Sequence, residues 1–332
     1  MSTLFGGVSR QSHAATFPPD RYYCLLDDLP LHLLPRRATS VLNESSTELY
    51  LNPACQMLSA EALPEAFTFQ REVFSAFALQ GTIALVREER TGSCLPFWLG
   101  PASEKVVKGL RLNEPVHASV PPGIRSVLAT AGILIPRPQS EKATAQNRDW
   151  ITRASASYRE KGYAPLSGLI HPLHVAALRR YYRYLIRKGM IRLGDEQSSL
   201  RYVVHNEPVA RFFHQQIALV LSAVAGQVLK PSYVYMASYV SGAELKKHVD
   251  REQCEFSITF CLDFSPEPEL ATPWPICLDT ANGKVAVHQA LGDGLAYRGT
   301  RLPHYRETLG PGQTSTSIFF HYVSADFEGR LD

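Results

Sequence analysis

A chain of 332 residues with 45% hydrophobic and 20% charged residues is long enough for about two domains with buried cores and has the composition of a globular protein. Its net charge of +3 is too small for a general nucleic-acid binder. The six cysteines, at positions 24, 55, 94, 254, 261 and 277, form no C-x-x-C pair, which argues against a zinc ribbon or a redox dithiol. The opening "MSTLFGGVSR" has no apolar stretch of the signal-peptide kind, and no apolar run approaches the roughly 18 residues that span a bilayer. A cytoplasmic protein with reduced thiols and no membrane partner is the expectation.

In chain order, "FPPDRYYCLLDDLPLHLLPRR" is apolar and punctuated by proline, and "SSTELYLNPACQMLSAEAL" reads as a short strand running into a helix. "FTFQREVFSAFAL" (67–79) places Phe69, Val73, Phe74 and Phe77 at helical spacing, and 121–138 reads as a helix stopped at Gly132 and a short strand. The polar stretch "IPRPQSEKATAQNRDW" reads as part of a linker. It would divide an N-terminal accessory or peptide-recognition domain (1–138), through a connection over 139–155, from a second domain (156–332).

The region from His171 to Lys188 has a helical pattern ended by Gly189. A second helix runs over 207–225, with Asn206 as N-cap, Pro208 in the first turn, and Val209, Phe213, Ile217, Val220 and Val224 on one stripe. From Pro231 the period changes to two. "SYVYMASYV" and "EFSITFCLDF" alternate, and about eight short strands follow one another to the C-terminus, which suggests a β-sandwich or small barrel.

Just past the first long strand lies "HVDREQC". In extended chain His248 and Asp250 point to the same side. His304, 56 residues later, follows the strand-like "GDGLAYRG". Two histidines and one carboxylate occupy one face of an octahedral metal and leave three positions open, the facial triad suited to non-haem Fe(II) oxygenases.

The segment from about Gly162 to Val323 resembles the Fe(II)/2-oxoglutarate-dependent oxygenase superfamily, on its prolyl-hydroxylase-like branch. "SYVSGAELKKHVD" is similar to that branch's strand ending in tyrosine, glycine-containing turn and HxD, with Tyr239 nine residues before His248. "LGDGLAYRG" resembles the strand before the distal histidine, and "PHYRETLGPGQTSTSIFFHYV" that histidine, a loop and the closing strand. The resemblance implies an α+β fold: a double-stranded β-helix, or jelly roll, with supporting helices, here preceded by a smaller mixed α/β unit. It implies His248, Asp250 and His304 as Fe(II) ligands, 2-oxoglutarate and O2 as co-substrates, ascorbate as a reductant, and hydroxylation coupled to decarboxylation of 2-oxoglutarate to succinate.

One departure from the family concerns the cation that usually binds the distal carboxylate of 2-oxoglutarate from the last strand. Thr314, Ser315, Thr316 and Ser317 stand there. Arg306, two residues past His304, takes the role in this reading, helped by Tyr239 and a hydroxyl of Ser315 or Ser317, with Arg298 in reserve.

Other polar groups have plainer readings. Glu207 in "HNEP", between His205 and His214, suits the start of a helix better than a second metal site. His171 and His174 read as structural, and His321 as a satisfied histidine of the barrel. Arg180, Arg183 and Arg187, with Arg179 and Lys188, read as a solvated helix face. Tyr181, Tyr182 and Tyr184 read as packing beneath the barrel, and Cys254 as a small buried residue close to the metal.

In the N-terminal part, "ELYLNPACQMLSA" and "VLATAGILIP" are similar to the small winged-helix, PqqD-like modules that recognise precursor peptides. That similarity implies a peptide or protein substrate. Against it stand a free amino acid or secondary metabolite as substrate, a non-catalytic metal-binding or sensing protein on the same fold, and an N-terminal unit that only covers the substrate or makes a homodimer.

Overall fold

The computed structural model describes residues 17–38, 48–59, 73–136 and 140–332. Its N-terminal part contains β1 (Leu49–Leu51), β2 (Gln56–Ser59), β3 (Thr82–Arg87), β4 (Cys94–Leu99), α1 (Pro101–Lys108), α2 (Pro122–Thr130) and β5 (Leu134–Pro136). Strands β2, β3 and β4 form an antiparallel sheet in that order, and β1 pairs with β5. The helix, glycine stop and strand expected over 121–138 are all present, with Gly132 at φ 73°. Two expectations fail. Gln56–Ser59 is a strand where a helix was expected to begin, and the helix over 67–79 is a 3-10 turn at Val73–Ala76, with 67–72 outside the described residues.

Of the expected linker over 139–155, residues 140–155 lie instead within α3 (Ser140–Lys161), and 139 lies outside the described residues. Its last turns bury Ala154 and Tyr158. There follow β6 (Tyr163–Leu166), α4 (Pro172–Arg187), β7 (Arg192–Leu193), β8 (Arg201–His205) and α5 (Pro208–Ala225). The α5 cap is Glu207, not Asn206. The Glu207 carboxylate accepts from Ala210 N at 3.0 Å and from the hydroxyls of Tyr181 and Tyr182 at 3.0 and 2.6 Å. Asn206 takes a left-handed conformation and bonds the backbone of Val234.

The remaining strands are β9 (Leu229–Val240), β10 (Leu245–His248), β11 (Phe256–Ser265), β12 (Ile276–Thr280), β13 (Gly283–Val287), β14 (Gly294–Tyr297), β15 (His304–Arg306) and β16 (Thr314–Ser324). They close into two sheets, one ordered β6-β14-β11-β16-β9-β8-β7 and the other β10-β15-β12-β13. From β9 onward the chain crosses repeatedly between the two, which defines a double-stranded β-helix.

Period-two alternation gives β16 two faces. Ile318, Phe320 and Tyr322 join a core that extends through α4 and α5 to Trp98 and Tyr22, while Phe319 packs inside the barrel with Tyr239, Cys261 and Trp274. On β11 a register shift between Cys261 and Asp263 breaks the parity. The Asp263 carboxylate bonds Arg179 Nε at 2.9 Å and Arg183 Nε at 2.6 Å, both from α4. Arg179 is fully buried and also bonds Glu267 and the carbonyl of Leu33. Arg180 bonds Asp28. The face expected to be solvated is therefore largely a docking face, because its partners come from sequence-distant segments.

Arg179→Leu leaves the Leu33 carbonyl and Glu267 without this donor, while Asp263 keeps Arg183. A buried group left unsatisfied costs about 1–3 kcal/mol, the loss expected in denaturant unfolding, and a loss below about 1 kcal/mol would refute the assignment.

Candidate metal centre

Strand β10 ends at His248, β15 begins at His304, and the two residues are direct cross-strand partners. Their rings lie 4.4 Å apart between centroids. Asp250 is placed between them by its own N–H, which donates to Gly299 O at 2.9 Å. Position 299 has to be glycine, because a Cβ there would run into the Cys254 carbonyl and the Asp250 carboxylate.

His248 Nδ1 lies 2.7 Å from Lys246 O, and His304 Nδ1 lies 3.0 Å from Leu302 O. A carbonyl only accepts, so each Nδ1 carries a proton and each Nε2 is turned to the Asp250 carboxylate, at 3.6 and 3.4 Å from Oδ1. Two nitrogen lone pairs and an anionic oxygen then converge, with donor atoms of all three residues within 4.8 Å of one another. Such a set requires a cation at its centre, either protons on the imidazoles or a metal ion. The donors and the fixed tautomers fit a borderline divalent metal.

Burial pushes the Asp250 carboxyl up, but hydrogen bonds from His248 and His304 hold it well below the usual carboxylate range. The bond to Asp250 raises His248 against the opposing effect of burial.

Deeper in the barrel, Arg306 is buried, donates from Nη1 to Trp274 O at 2.8 Å, and stacks 4.7 Å from the Trp274 ring centroid. Its Nε has no partner, and no carboxylate pairs with it among the described residues. Burial pushes its pKa down. The Ser317 hydroxyl is also buried without a partner. Tyr239 packs against the same tryptophan, and Ser315 is its cross-strand neighbour. A buried guanidinium with open donors and no counter-charge fits an anion such as a carboxylate. Arg298 does not take part. It lies over the Tyr158 ring of α3, outside the barrel, because it follows the last inward residue of β14.

The cavity before the metal ligands has a volume of about 630 Å³ and is walled by the β7–β8 hairpin, β9 and Arg251. The sequence reading missed Arg201. It donates to Asp195, Gln197 and the Tyr239 hydroxyl and so ties the hairpin to β9. The alternation in "LRYVVH" was its signal. Ser257, whose hydroxyl lies 3.1 Å from Asp250 Oδ2, was also missed, although it shares the inward parity of Thr259 and Cys261. Cys254 sits where expected, buried beside Asp250, and bonds the Tyr233 hydroxyl. His205, Glu207 and His214 are not brought together: Glu207 caps α5, and His214 donates to the His321 carbonyl.

No family model matches the sequence, and neither does any curated protein. Among solved structures, the chain is similar to the non-heme alpha ketoglutarate dependent epimerase SnoN from nogalamycin biosynthesis, at 16% identity and a TM-score of 0.45, over 54% of this chain and 84% of that one. It is similar to a Pseudomonas putida prolyl-4-hydroxylase at 15% identity and a TM-score of 0.43, over 52% and 98%. A third is HygX from Streptomyces hygroscopicus with nickel and 2-oxoglutarate bound, at 11% identity and a TM-score of 0.43, over 53% and 87%. Among the described residues no helix is long and apolar enough to cross a membrane.

The Asp250 interaction has a pH signature in the metal-free protein. Its carboxyl is depressed on folding, so its contribution is present above about pH 4, the unfolded value, and is lost as the pH falls through the lower folded value. His248 is raised, so its contribution is full below about pH 6.5 and is lost above the folded value. The stability difference between wild type and Asp250→Asn, measured by chemical denaturation, is expected to peak between about pH 4 and 6.5 and to shrink on both sides. A flat difference would refute the pairing.

Proposed function

We propose that this chain is an Fe(II)- and 2-oxoglutarate-dependent dioxygenase that hydroxylates its substrate. The observation that carries the reading is the convergence of His248, Asp250 and His304 at the mouth of a jelly roll, each imidazole fixed in the ligating tautomer. In it, these residues hold the iron and leave one face open. Arg306, with Tyr239 and the hydroxyl of Ser317 or Ser315, holds the distal carboxylate of 2-oxoglutarate in the barrel. Bound iron and 2-oxoglutarate would supply the oxidation, with decarboxylation to succinate. The chain's own work is placement and dryness. Ser257 steadies Asp250, Arg201 holds the hairpin over the cavity, and the apolar wall of Tyr235 and Phe319 keeps water out.

For the substrate, the cavity volume of about 630 Å³ lies in the range of small-molecule sites and favours a free small molecule. Hydroxylation of an amino-acid side chain in a peptide is the second reading. It draws on β2, an edge strand with exposed residues in the N-terminal sheet, to which an extended peptide would add. A non-catalytic metal-binding protein explains the triad but leaves the unpaired Arg306 without a role.

Anaerobic titration with Fe(II) and 2-oxoglutarate is expected to give a visible metal-to-ligand charge-transfer band. His248→Ala abolishes it, and Arg306→Ala raises the 2-oxoglutarate needed by about tenfold or more, the worth of a charge-assisted hydrogen bond. Absence of the band in folded, iron-loaded wild type would refute the oxygenase reading. An unchanged 2-oxoglutarate requirement in Arg306→Ala would refute the anchor.

A further inference from the structure

His321 extends from β16 into the barrel and lines the same cavity as His248 and Asp250. Its Nδ1 lies 2.8 Å from the Ser257 hydroxyl oxygen. That oxygen has two other close neighbours, Asp250 Oδ2 and the Cys254 carbonyl, each at 3.1 Å. Both of these only accept. A hydroxyl has one hydrogen, and Ser257 gives it to one of them. If it turned instead to His321, two acceptors would face its lone pairs. The histidine is the only one of the three neighbours able to donate, so Nδ1 carries the proton and Nε2 is a bare acceptor.

Nε2 is buried, in a residue only 2% exposed, and has no hydrogen-bond partner among the described residues. Two of the neighbouring groups are engaged elsewhere. The Tyr233 ring flanks His321 at 4.7 Å, but its hydroxyl is bonded to Cys254 Sγ at 3.0 Å. His214 takes the His321 carbonyl, not the ring. Tyr235 covers the ring at 5.7 Å with its face. Buried acceptors of this kind are normally satisfied, and the residue that carries this one lines a cavity of small-molecule size.

We propose that His321 Nε2 reads the substrate by accepting a hydrogen bond from an O–H or N–H group placed beside the metal ligands. The substrate class is thereby a compound carrying such a donor near the reacting carbon, and its ether, ester or N-methyl counterparts are excluded. The inference rests on the oxygenase reading and makes His321 a specificity residue, distinct from the residues that hold metal and 2-oxoglutarate. A site built to receive a donor discriminates strongly against the analogue that lacks it, here by roughly tenfold or more.

The test uses the full chain loaded with zinc, in place of redox-active iron, and 2-oxoglutarate. In 15N-histidine NMR, the His321 resonances, identified by their loss in His321→Phe, are expected to show a protonated Nδ1 and an unprotonated Nε2. Ser257→Ala is expected to relax that preference. Binding is then followed by saturation transfer with two matched probe pairs, phenol with anisole and indole with N-methylindole. The donor member is expected to bind at least about tenfold more tightly to wild type, to lose that advantage in His321→Phe, and to recover part of it in His321→Gln, which restores an acceptor.

A protonated Nε2, equal binding of both members, or no binding by either overturns the proposal. The Fe(II)/2-oxoglutarate band, recorded on the same wild type and His321→Phe, separates the two readings. A band in both proteins without donor preference sinks the His321 assignment alone, whereas no band in wild type sinks the oxygenase reading.

Discussion

The carboxylate of Asp250 sits almost out of water, and a buried anion has to be met by positive charge or by hydrogen. Everything at the mouth of the barrel answers that requirement. The register of β10 against β15 puts His248 opposite His304, two carbonyls turn both imidazoles toward the carboxylate, Gly299 clears room for it, and Ser257 covers its second oxygen. A change at any of these points would move a charge in a place of low dielectric, so the geometry tolerates little variation.

The same strands that build this mouth also hold the molecule together, because each β-strand presents opposite faces at alternate residues. On β16, Phe320 and Tyr322 seal the barrel against α4 and α5, while Ser317, Phe319 and His321 line its interior. Asp263 shows how the rule is broken where a link is needed. The irregularity on β11 turns that carboxylate outward onto Arg179, and Arg179 in turn reaches Leu33 in the N-terminal part. Packing runs without a break from the N-terminal sheet to the barrel wall, so the supporting helices position the site instead of merely flanking it.

What the sequence made legible was local. HxD spacing, the alternation of "SYVYMASYV" and the glycine after α2 each depend on a few neighbouring residues, and each appears as expected. What it hid depends on distant partners. The polar run over 140–155 has the composition of a linker and the structure of a helix, because a helix needs only a narrow apolar stripe. Asn206 had the chemistry of a cap, but Glu207 meets Tyr181, Tyr182 and the first turn at once. Parity with His304 carries Arg306 into the barrel, whereas Arg298 stays outside because the strand ends before it. Nothing local showed that the His321 ring would keep one nitrogen free, since that follows from Ser257, 64 residues away.

Three buried arginines show how partner choice separates support from function. Arg179 is met by Asp263 and Glu267, and Arg201 by Asp195 and Gln197, so each charge is neutralised inside the fold and ties two segments together. Arg306 is buried just as deeply and, among the described residues, receives only a carbonyl and an aromatic face. A cation–π contact and one neutral hydrogen bond do not offset the loss of water around a guanidinium. Arg306 therefore costs the isolated fold stability that the other two do not. That cost is understandable if the missing counter-charge arrives with a ligand, and the open Nε and the free Ser317 hydroxyl lie inside the same barrel to receive it.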